Sequence, residues 1–151
     1  MRIFLDTNVF LYAFLNQDVA KKATAVKILA TAMRVRNGYV SLQVAKEFCN
    51  VMTKKSVKPI SEVTIALDFM SRFNDIEGSI GVVRRALGIK EQYGIQFYDA
   101  LMVAAAEAGG CDEIYTEDLN DGQMYCGMKV VNPFKEFDNN KQGEKANEQN
   151  A

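Results

Sequence analysis

The sequence predicts an α/β fold in which a mostly parallel sheet is covered by helices on both faces. The first observation is that short apolar runs alternate with helical periodicities along the chain, an order typical of parallel strands joined by helices. The second is that capping or turn residues separate these segments, as expected where strands and helices follow one another directly. Parallel strands are normally buried between two helical layers, so both faces should be covered.

The first strand and helix are predicted from an apolar run that ends in polar capping residues. Ile3 to Leu5 form the run, and Asp6, Thr7 and Asn8 follow it. These three residue types favour a turn or a helix N-terminus. We therefore expect a helix to follow the first strand at once, from Val9 to Phe14.

The central part of the chain predicts three helices and two brief strands. The pair Asn37-Gly38 is typical of a helix end, and Ser41 and Ser61 are good N-terminal caps. In chain order, the expected elements are a helix from Val19 to Arg36, a strand at Tyr39-Val40, a helix from Ser41 to Lys54 or Lys55, a helix from Pro59 to Phe73, and a strand at Ile76.

The last part predicts two helices, two strands and a polar tail. The expected elements are a helix from Ser79 to Tyr93, an Ala-rich helix from Phe97 to Ala108, and strands at Glu113 to Thr116 and at Lys129 to Val131. From Asp138 onward, alanine is the only apolar residue type, and such a segment cannot bury enough surface to order itself. We expect one domain over residues 1–137 and a disordered tail over residues 138–151.

The composition is that of one ordinary globular domain. The chain has 151 residues, of which 48% are hydrophobic and 25% charged. Its three cysteines, Cys49, Cys111 and Cys126, form no CxxC pair, which favours a reducing compartment over a disulfide framework. The N-terminus does not resemble a signal peptide, and no apolar run approaches the roughly 18 residues of a membrane span. We therefore expect a cytoplasmic protein with no membrane association.

The absence of histidine restricts the chemistry that the chain can perform. It excludes Ser-His-Asp and Cys-His nucleophilic sites and histidine-based ribonuclease chemistry, and it makes zinc an improbable metal. The net charge of −1 also argues against a tight, passive nucleic-acid binder. Acid–base chemistry near neutral pH must then come from carboxylates, Lys, Tyr, Cys or a metal-bound water.

Two acidic residues follow predicted strands. Asp6 ends the first strand and Asp118 follows the strand from Glu113, and open α/β sheets bind ligands at the carboxyl ends of their strands. Each residue also has a structural interpretation: Asp6 as a helix N-cap, and Asp118 as part of a polar turn that ends at Gly122.

Two further acids lie on the apolar sides of predicted helices. Glu47 falls on the stripe marked by Val44, Phe48 and Val51, where a carboxylate is costly unless it is paired or binds a metal. Glu47 could instead lie at the edge of the stripe and pair with a lysine. Asp99 points along the apolar side of its helix, but it also lies in the first turn, where the helix dipole favours an acid.

Taken together, the four acids predict a metal site more strongly than any one of them does. Three lie at strand ends or helix starts, and one lies on a buried stripe. Carboxylates that converge in one pocket repel each other, and a hard divalent cation relieves that repulsion. We therefore interpret Asp6, Glu47, Asp99 and Asp118 as one candidate cluster.

Four segments of the chain carry a further pattern: FLDTNVFLYAF from Phe4, SLQVAKEFCNVM from Ser41, FYDALMVAAAEAGGCDEIYTEDLNDGQ from Phe97, and KVVNPF from Lys129. The ordered combination of DTN, Glu-Phe on a helix, YDALMVAAA and TEDLNDGQ is specific. Together the segments resemble PIN-domain ribonucleases, in particular the VapC-type toxins of bacterial toxin–antitoxin pairs, and the resemblance covers about residues 1–134.

The resemblance implies a fold and a set of site residues. The implied fold is a three-layer α/β/α sandwich around a five-stranded parallel sheet of order 3-2-1-4-5. The four acids of the family fall on Asp6, Glu47, Asp99 and Asp118 and would bind Mg²⁺ or Mn²⁺. Four neighbours match positions that hold the metal or orient the acids or the water: Asp121 for the metal, and Thr7, Asn8 and Thr116 for orientation.

The resemblance also implies an activity and partners. The expected activity is metal-dependent endonucleolytic cleavage of RNA, which leaves 5′-phosphate and 3′-hydroxyl ends. The expected partners are an RNA substrate, a small antitoxin protein that covers the site, and a second copy of the chain. The apolar segment from Val9 to Phe14 cannot all face one core, so we expect Phe10 and Phe14 to contribute to a self-associating or antitoxin-binding surface.

Other protein classes also place acids at strand ends. A haloacid-dehalogenase-like phosphatase begins with a strand and Asp-x-Asp, but here the second position is Asn8, which removes its general acid. A response-regulator receiver domain needs an acid pair after its first strand, and this chain has a lone Asp6 there. A PIN-like scaffold without nuclease activity is a further alternative, and the intact set of four acids argues against it.

Overall fold

A computed structural model of the chain describes residues 1–55, 58–140 and 145. Within these residues, one sheet contains six short strands. In chain order they are β1 (Ile3–Leu5), β2 (Gly38–Ser41), β3 (Asn74–Ile76), β4 (Glu113–Tyr115), β5 (Met124–Tyr125) and β6 (Met128–Val131).

The helices connect these strands and form the outer layers. In chain order they are α1 (Thr7–Phe14), α2 (Val19–Val35), α3 (Leu42–Asn50), α4 (Ile60–Met70), α5 (Ile80–Tyr93) and α6 (Phe97–Ala108). A single π-helical segment, Val51–Lys55, extends α3. The predicted helix from Ser41 to Lys54 or Lys55 is therefore present, but its last turn is wider than an α-helical turn.

The sheet has the order β3-β2-β1-β4-β6-β5. All neighbouring pairs are parallel except β5 and β6, which form an antiparallel hairpin. The five parallel strands therefore have the expected order 3-2-1-4-5, with β6 in the fifth place, and the predicted α/β fold class is confirmed.

The edge strand β5 is absent from the sequence prediction. It pairs with β6 through a two-residue turn in which Cys126 has φ 50° and Gly127 has φ 80°. Two residues with positive φ are what a tight hairpin turn requires. Because cysteine is not among the residues that usually adopt this conformation, the turn left little signal in the sequence.

Aromatic side chains fill the core beside α1. The ring of Phe10 packs on that of Phe73, with 5.5 Å between centroids, and Phe14 contacts Phe48 and Phe69 at 5.8 and 5.7 Å. Phe10 is fully buried and Phe14 is half-buried. The expectation that Phe10 contributes to a self-associating surface is therefore wrong, because its side chain is a core residue.

The C-terminal part of the domain continues past the last strand. Residues 135–140 are helical, so the predicted boundary between domain and tail at residue 138 falls inside a helix. Apart from Lys145, the remainder of the predicted disordered tail lies outside the described residues. No helix in the described ranges is long and apolar enough to cross a membrane.

Gly38 lies where β2 meets the aromatic core, and we expect its replacement by alanine to be destabilising. An added Cβ would lie 2.7 Å from Phe73 Cδ1 and 3.0 Å from Leu5 Cδ1. Gly38→Ala should lower the free energy of unfolding by about 1–3 kcal/mol, as overpacked cores do. The control is Gly88→Ala in α5, where an added Cβ would meet only Arg85 Nη1, at an ordinary contact distance of 3.8 Å, and it should raise stability by roughly 0.5–1 kcal/mol. Urea unfolding measures the free energy of unfolding of both variants. Equal changes in the two would contradict the close packing around Gly38.

Candidate active site

The topology places the four predicted acids at one edge of the sheet. Asp6 directly follows β1, and Asp118 lies in the loop after β4, the parallel neighbour of β1. Glu47 projects from α3, which follows β2 on the other side of β1, and Asp99 lies in the first turn of α6. The electrostatic influence of Glu47 and Asp118 reaches both Asp6 and Asp99, so the four carboxylates share one environment.

Asp6 is the buried member of the cluster, with 6% of its surface exposed. Its side chain caps α1 by accepting a hydrogen bond of 2.7 Å from the backbone N–H of Thr7. Burial is the main cause that raises the pKa of Asp6 to about 7, and the nearby charges of Asp118 and Glu47 raise it further. The hydrogen bonds from Thr116 and Thr7 oppose this increase because they stabilise the ionised form.

Thr116 joins the two acids that follow β1 and β4. Its fully buried hydroxyl donates to Asp6 Oδ2 at 2.7 Å and accepts a hydrogen bond of 3.1 Å from the backbone N–H of Asp118. One side chain therefore orients the Asp6 carboxylate and fixes the start of the loop that carries Asp118. The resemblance implies that Thr116 orients the acids or the water, and that functional role stays a prediction.

Glu47 is held between two neutral donors. Thr7 Oγ1 donates to Glu47 Oε2 at 2.9 Å, and Gln43 Nε2 donates to Glu47 Oε1 at 2.7 Å. The predicted alternative, in which Glu47 pairs with a lysine, does not occur in the described residues. Gln43 was missed by the sequence analysis, although its position four residues before Glu47 puts both on one helix face.

Asp99 and Asp118 line the open side of the cluster, where Asp99 is half-buried and Asp118 is exposed. Burial and then the charges of Asp118 and Glu47 raise the pKa of Asp99. Burial likewise raises the pKa of Asp118, and the charges of Glu117 and Glu47 add to it. Asn8 Nδ2 lies 3.5 Å from Asp118 Oδ2, at the limit of hydrogen bonding.

Asp121, which the resemblance linked to the metal, has other partners. Its Oδ1 accepts a hydrogen bond of 2.8 Å from the backbone N–H of Asn132, and its Oδ2 forms a 3.1 Å ion pair with Lys135. The first contact is also the main cause that lowers the pKa of Asp121. Both oxygens are therefore engaged away from the cluster, and a metal role for Asp121 stays a prediction without support from these contacts.

The chemistry of the cluster fits a hard divalent cation. In the described part of the chain, no Lys or Arg forms an ion pair with Asp6, Glu47, Asp99 or Asp118. Several carboxylates without a cationic partner are the ligands that Mg²⁺ and Mn²⁺ prefer. However, no three acids of the described residues are close enough to enclose an ion as they stand, so the donors are present without a preformed coordination sphere.

An open cleft of about 570 Å³ lies beside the cluster. Asp99 and Asp118 form one part of its wall, and Asn120 and the buried Tyr125 form another. The remaining lining residues come from the turn before α6 and from the loop after β4: Gly94, Ile95, Gln96 and Leu119. Both acids are thus accessible from solvent through this cleft.

A sequence model of the PIN domain matches residues 3–120, about four-fifths of the chain. The chain therefore belongs to the PIN-domain family. This membership excludes the haloacid-dehalogenase and receiver-domain alternatives, which have different folds. Among curated proteins, no sequence relative matches the chain.

Solved structures with the same fold include proteins of toxin–antitoxin systems. A chain of a toxin–antitoxin complex from Klebsiella pneumoniae is 23% identical, with a TM-score of 0.63, over 88% of this chain and 98% of that one. VapBC2 from Rickettsia felis, bound to a promoter DNA fragment, is 21% identical, with a TM-score of 0.62, over 87% and 98%. The sarcin–ricin-loop-cleaving toxin VapC20 from Mycobacterium tuberculosis is 16% identical, with a TM-score of 0.60, over 77% and 89%.

The raised pKa of Asp6 predicts a pH dependence of stability without metal. Between pH 4 and about 7 the unfolded chain releases this proton and the folded chain retains it, so ionisation of Asp6 destabilises the fold as pH rises. Asp6→Asn removes this contribution. In EDTA, the stability of Asp6→Asn relative to wild type should therefore increase by roughly 2–4 kcal/mol from pH 4 to pH 8. Urea unfolding at both pH values measures the difference, and a pH-independent difference would contradict it.

Proposed function

We propose that this protein is a Mg²⁺- or Mn²⁺-dependent endoribonuclease and the toxin component of a type II toxin–antitoxin system. The observation that carries the proposal is the cluster of four acids from four separate elements, of which none has a cationic partner in the described residues. Two of them, Asp6 and Glu47, are held by neutral donors. Such an arrangement costs folding energy, and a bound cation would offset that cost.

The residues of the cluster have distinct proposed roles. Asp6 and Asp99 hold the main ion, while Glu47 and Asp118 complete the site through waters or a second ion. When bound, the divalent ion supplies a water of lowered pKa and stabilises negative charge that develops at the phosphate. Thr116 fixes the orientation of Asp6, and Thr7 and Gln43 fix that of Glu47.

The unpaired acids also make substrate binding depend on the cation. RNA carries negatively charged phosphates, and the carboxylates that line the cleft repel them at short range. A bound divalent ion reverses the local sign of the charge and admits a phosphate. This explains how an acidic chain, with a pI of about 5.5, can act on a nucleic acid.

An antitoxin segment is the proposed occupant of an apolar groove on the far side of α1. The groove has a volume of about 520 Å³ and is lined by α1, α2 and Phe69 of α4. Such a groove suits an amphipathic helix of a partner. Its lining residues are Ala13, Phe14, Val26, Leu29, Ala30, Met33, Arg34 and Phe69. The toxin–antitoxin complexes among the structural neighbours support an antitoxin as the occupant.

A second copy of the chain is the proposed occupant of a different apolar face. On α5, Ile80, Val83 and Leu87 follow the i, i+3, i+7 spacing of a helix stripe, and all three are exposed. The exposed Leu42 and Tyr98 lie across a cavity of about 340 Å³ that Val83 also lines. An apolar surface of this extent on one side of a small domain indicates an interface.

Metal dependence and the site are tested together with Asp99→Asn. Wild type should cut RNA with Mg²⁺ or Mn²⁺ and lose activity in EDTA, and Asp99→Asn should be almost inactive because a ligand is lost. Without metal, the variant should be as stable as wild type or up to roughly 2 kcal/mol more stable, because one close repulsion is removed. Mn²⁺ should raise the melting temperature of wild type much more than that of the variant.

The matched control for this experiment is Asp68→Asn, which removes an exposed helical acid outside the cluster. It should leave cleavage and the Mn²⁺-induced stabilisation unchanged. If Asp99 merely serves the helix dipole, Asp99→Asn should remain active and lose up to about 1 kcal/mol of stability. That result, or strong wild-type cleavage in EDTA, would refute the proposed site.

The dimer interface is tested by light scattering at about 50 µM, high enough to populate typical non-obligate dimers. Wild type should have twice the 16.9 kDa mass of one chain. Leu87→Glu should give a monomer, because it buries a charge in the proposed apolar interface. Ile65→Glu changes an exposed apolar residue on α4 and should remain dimeric. A monomeric wild type, or dissociation by both variants, would contradict the proposed interface.

A further inference from the structure

The loop that carries Asp118 is fixed from outside the site by residues that follow β6. We call residues 116–121 the acidic loop and residues 133–138 the strap. Two side chains of the acidic loop turn away from the cluster and form ion pairs. Glu117 pairs with Lys21, and Asp121 pairs with Lys135 of the strap.

Lys21 is the centre of the first set of contacts. It is a lysine whose side chain is only 8% exposed, and its Nζ lies 3.3 Å from Glu117 Oε2 and 2.9 Å from Asp138 Oδ1. Tyr12 completes the network, because its hydroxyl donates to Glu117 Oε1 at 2.6 Å and accepts from Lys21 Nζ at 3.3 Å. Every oxygen of Glu117 is thus bound, and Asp138 supplies the second carboxylate that a buried ammonium needs.

The strap is anchored independently of these ion pairs. Phe134 is fully buried, and its ring packs against that of Tyr12 with 4.8 Å between centroids. The ammonium of Lys21 lies over the rings of Tyr12 and Phe134, at 4.9 and 5.9 Å from their centroids. The strap therefore has a fixed position from which Asp138 and Lys135 can act on the acidic loop.

Glu117 connects these contacts to the cluster because it lies between Thr116 and Asp118 in the chain. Thr116 orients the Asp6 carboxylate, and Asp118 belongs to the acids that line the cleft. When the Glu117 side chain is held outside, the backbone rotations that would turn Thr116 and Asp118 out of the site are restricted. Contacts outside the ligand shell orient the metal ligands, and their loss typically weakens metal binding by about ten-fold or more.

We propose that the strap, acting through Asp138 and Lys21 on Glu117, is a positioning device that holds Asp118 and Thr116 in the geometry of the acid cluster. The strap lies beyond residues 3–120, the part of the chain that matches the PIN-domain model. The effect on metal binding rests on the proposed function. The effect on the order of the acidic loop does not.

The two ion pairs of the strap should contribute unequally. The side chain of Lys21 is buried, with 8% exposed, while that of Asp138 is 45% exposed; removing one partner of the buried ammonium is costly. The pair between Lys135 and Asp121 is more exposed, with 59% and 32% of the two side chains accessible, and such pairs contribute little. Asp138 should therefore be the sensitive position of the strap, and Lys135 a weaker one.

The first test measures amide hydrogen exchange of residues 116–121 in the full chain. Asp138→Asn should speed exchange in this segment about ten-fold, an opening accessible to native-state exchange. Lys135→Gln should have a smaller effect. Glu136→Gln is the matched control, because it removes an exposed charge from the same helix without a contact to the loop, and it should have no effect. Exchange in Asp138→Asn that equals the Glu136→Gln value would overturn the proposal.

The second test measures Mn²⁺ binding by titration calorimetry with the same variants. Asp138→Asn should weaken binding about ten-fold. Asp138→Glu should restore most of the affinity, which a nonspecific loss of packing would not allow. Lys21→Met, which keeps the side-chain volume, should weaken Mn²⁺ binding by a similar factor. The double variant Lys21→Met/Asp138→Asn should bind Mn²⁺ about as tightly as the single variants, because both changes remove the same interaction. Additive effects would show that the two residues act separately, contrary to the proposal.

The two tests separate the positioning device from the proposed function. If wild type binds no Mn²⁺, the metal-dependent nuclease is refuted, and the exchange experiment alone decides whether the strap orders the acidic loop. If Mn²⁺ binds and Asp138→Asn has wild-type affinity, the strap does not position Asp118 and the proposal fails, while the nuclease assignment stands.

Discussion

The hydrogen bond between Thr116 and Asp6 is the contact on which the rest of the site depends. It joins the ends of β1 and β4, which are parallel neighbours at the centre of the sheet, and both of its side chains are buried. Because a buried carboxylate without donors is very costly, this hydroxyl and the Thr7 amide are what allow an acid at this position. The same hydroxyl accepts from the Asp118 amide, so the orientation of Asp6 and the path of the acidic loop are set together.

The acid cluster is held by neutral side chains and, among the described residues, not by cationic ones. Thr7, Gln43 and Thr116 supply neutral donors, whereas a lysine or arginine in their place would relieve the repulsion among the acids and also occupy their oxygens. The cationic contacts lie one residue away, on Glu117, where Lys21 holds the loop without reaching the cleft. The fold thus separates two kinds of acid within one loop: Asp118 stays without a cationic partner among the described residues, while Glu117 and Asp121 carry structural ion pairs.

The sequence predicted the features that depend on neighbouring residues and missed those that depend on residues far apart in the chain. Strand ends, helix caps and an acid on an apolar stripe are local patterns. The parallel sheet could therefore be predicted, as could the places of Asp6 and Asp118 after its strands and of Glu47 and Asp99 on helices. The short strand β5 depends on a turn at Cys126 that carries no typical turn residue. Phe10 was misassigned because which face of α1 is buried depends on Phe73, far along the chain.

The contacts that the sequence could not predict are the long-range polar ones. Lys21 and Glu117 are separated by 96 residues, and nothing in the local pattern of α2 distinguishes a buried lysine from a solvated one. In the folded protein, Tyr12 and Phe134 surround that lysine with aromatic rings, so its charge must be met by acids, and Glu117 and Asp138 are the two that reach it. In this environment of low dielectric, the attraction between the ammonium and its carboxylate partners is stronger than at the surface. The cost of leaving the ammonium without a partner is also higher. Because the buried ammonium needs its carboxylate partners, Lys21 can hold the acidic loop in one position through Glu117 without itself contacting Asp118 or the rest of the cluster.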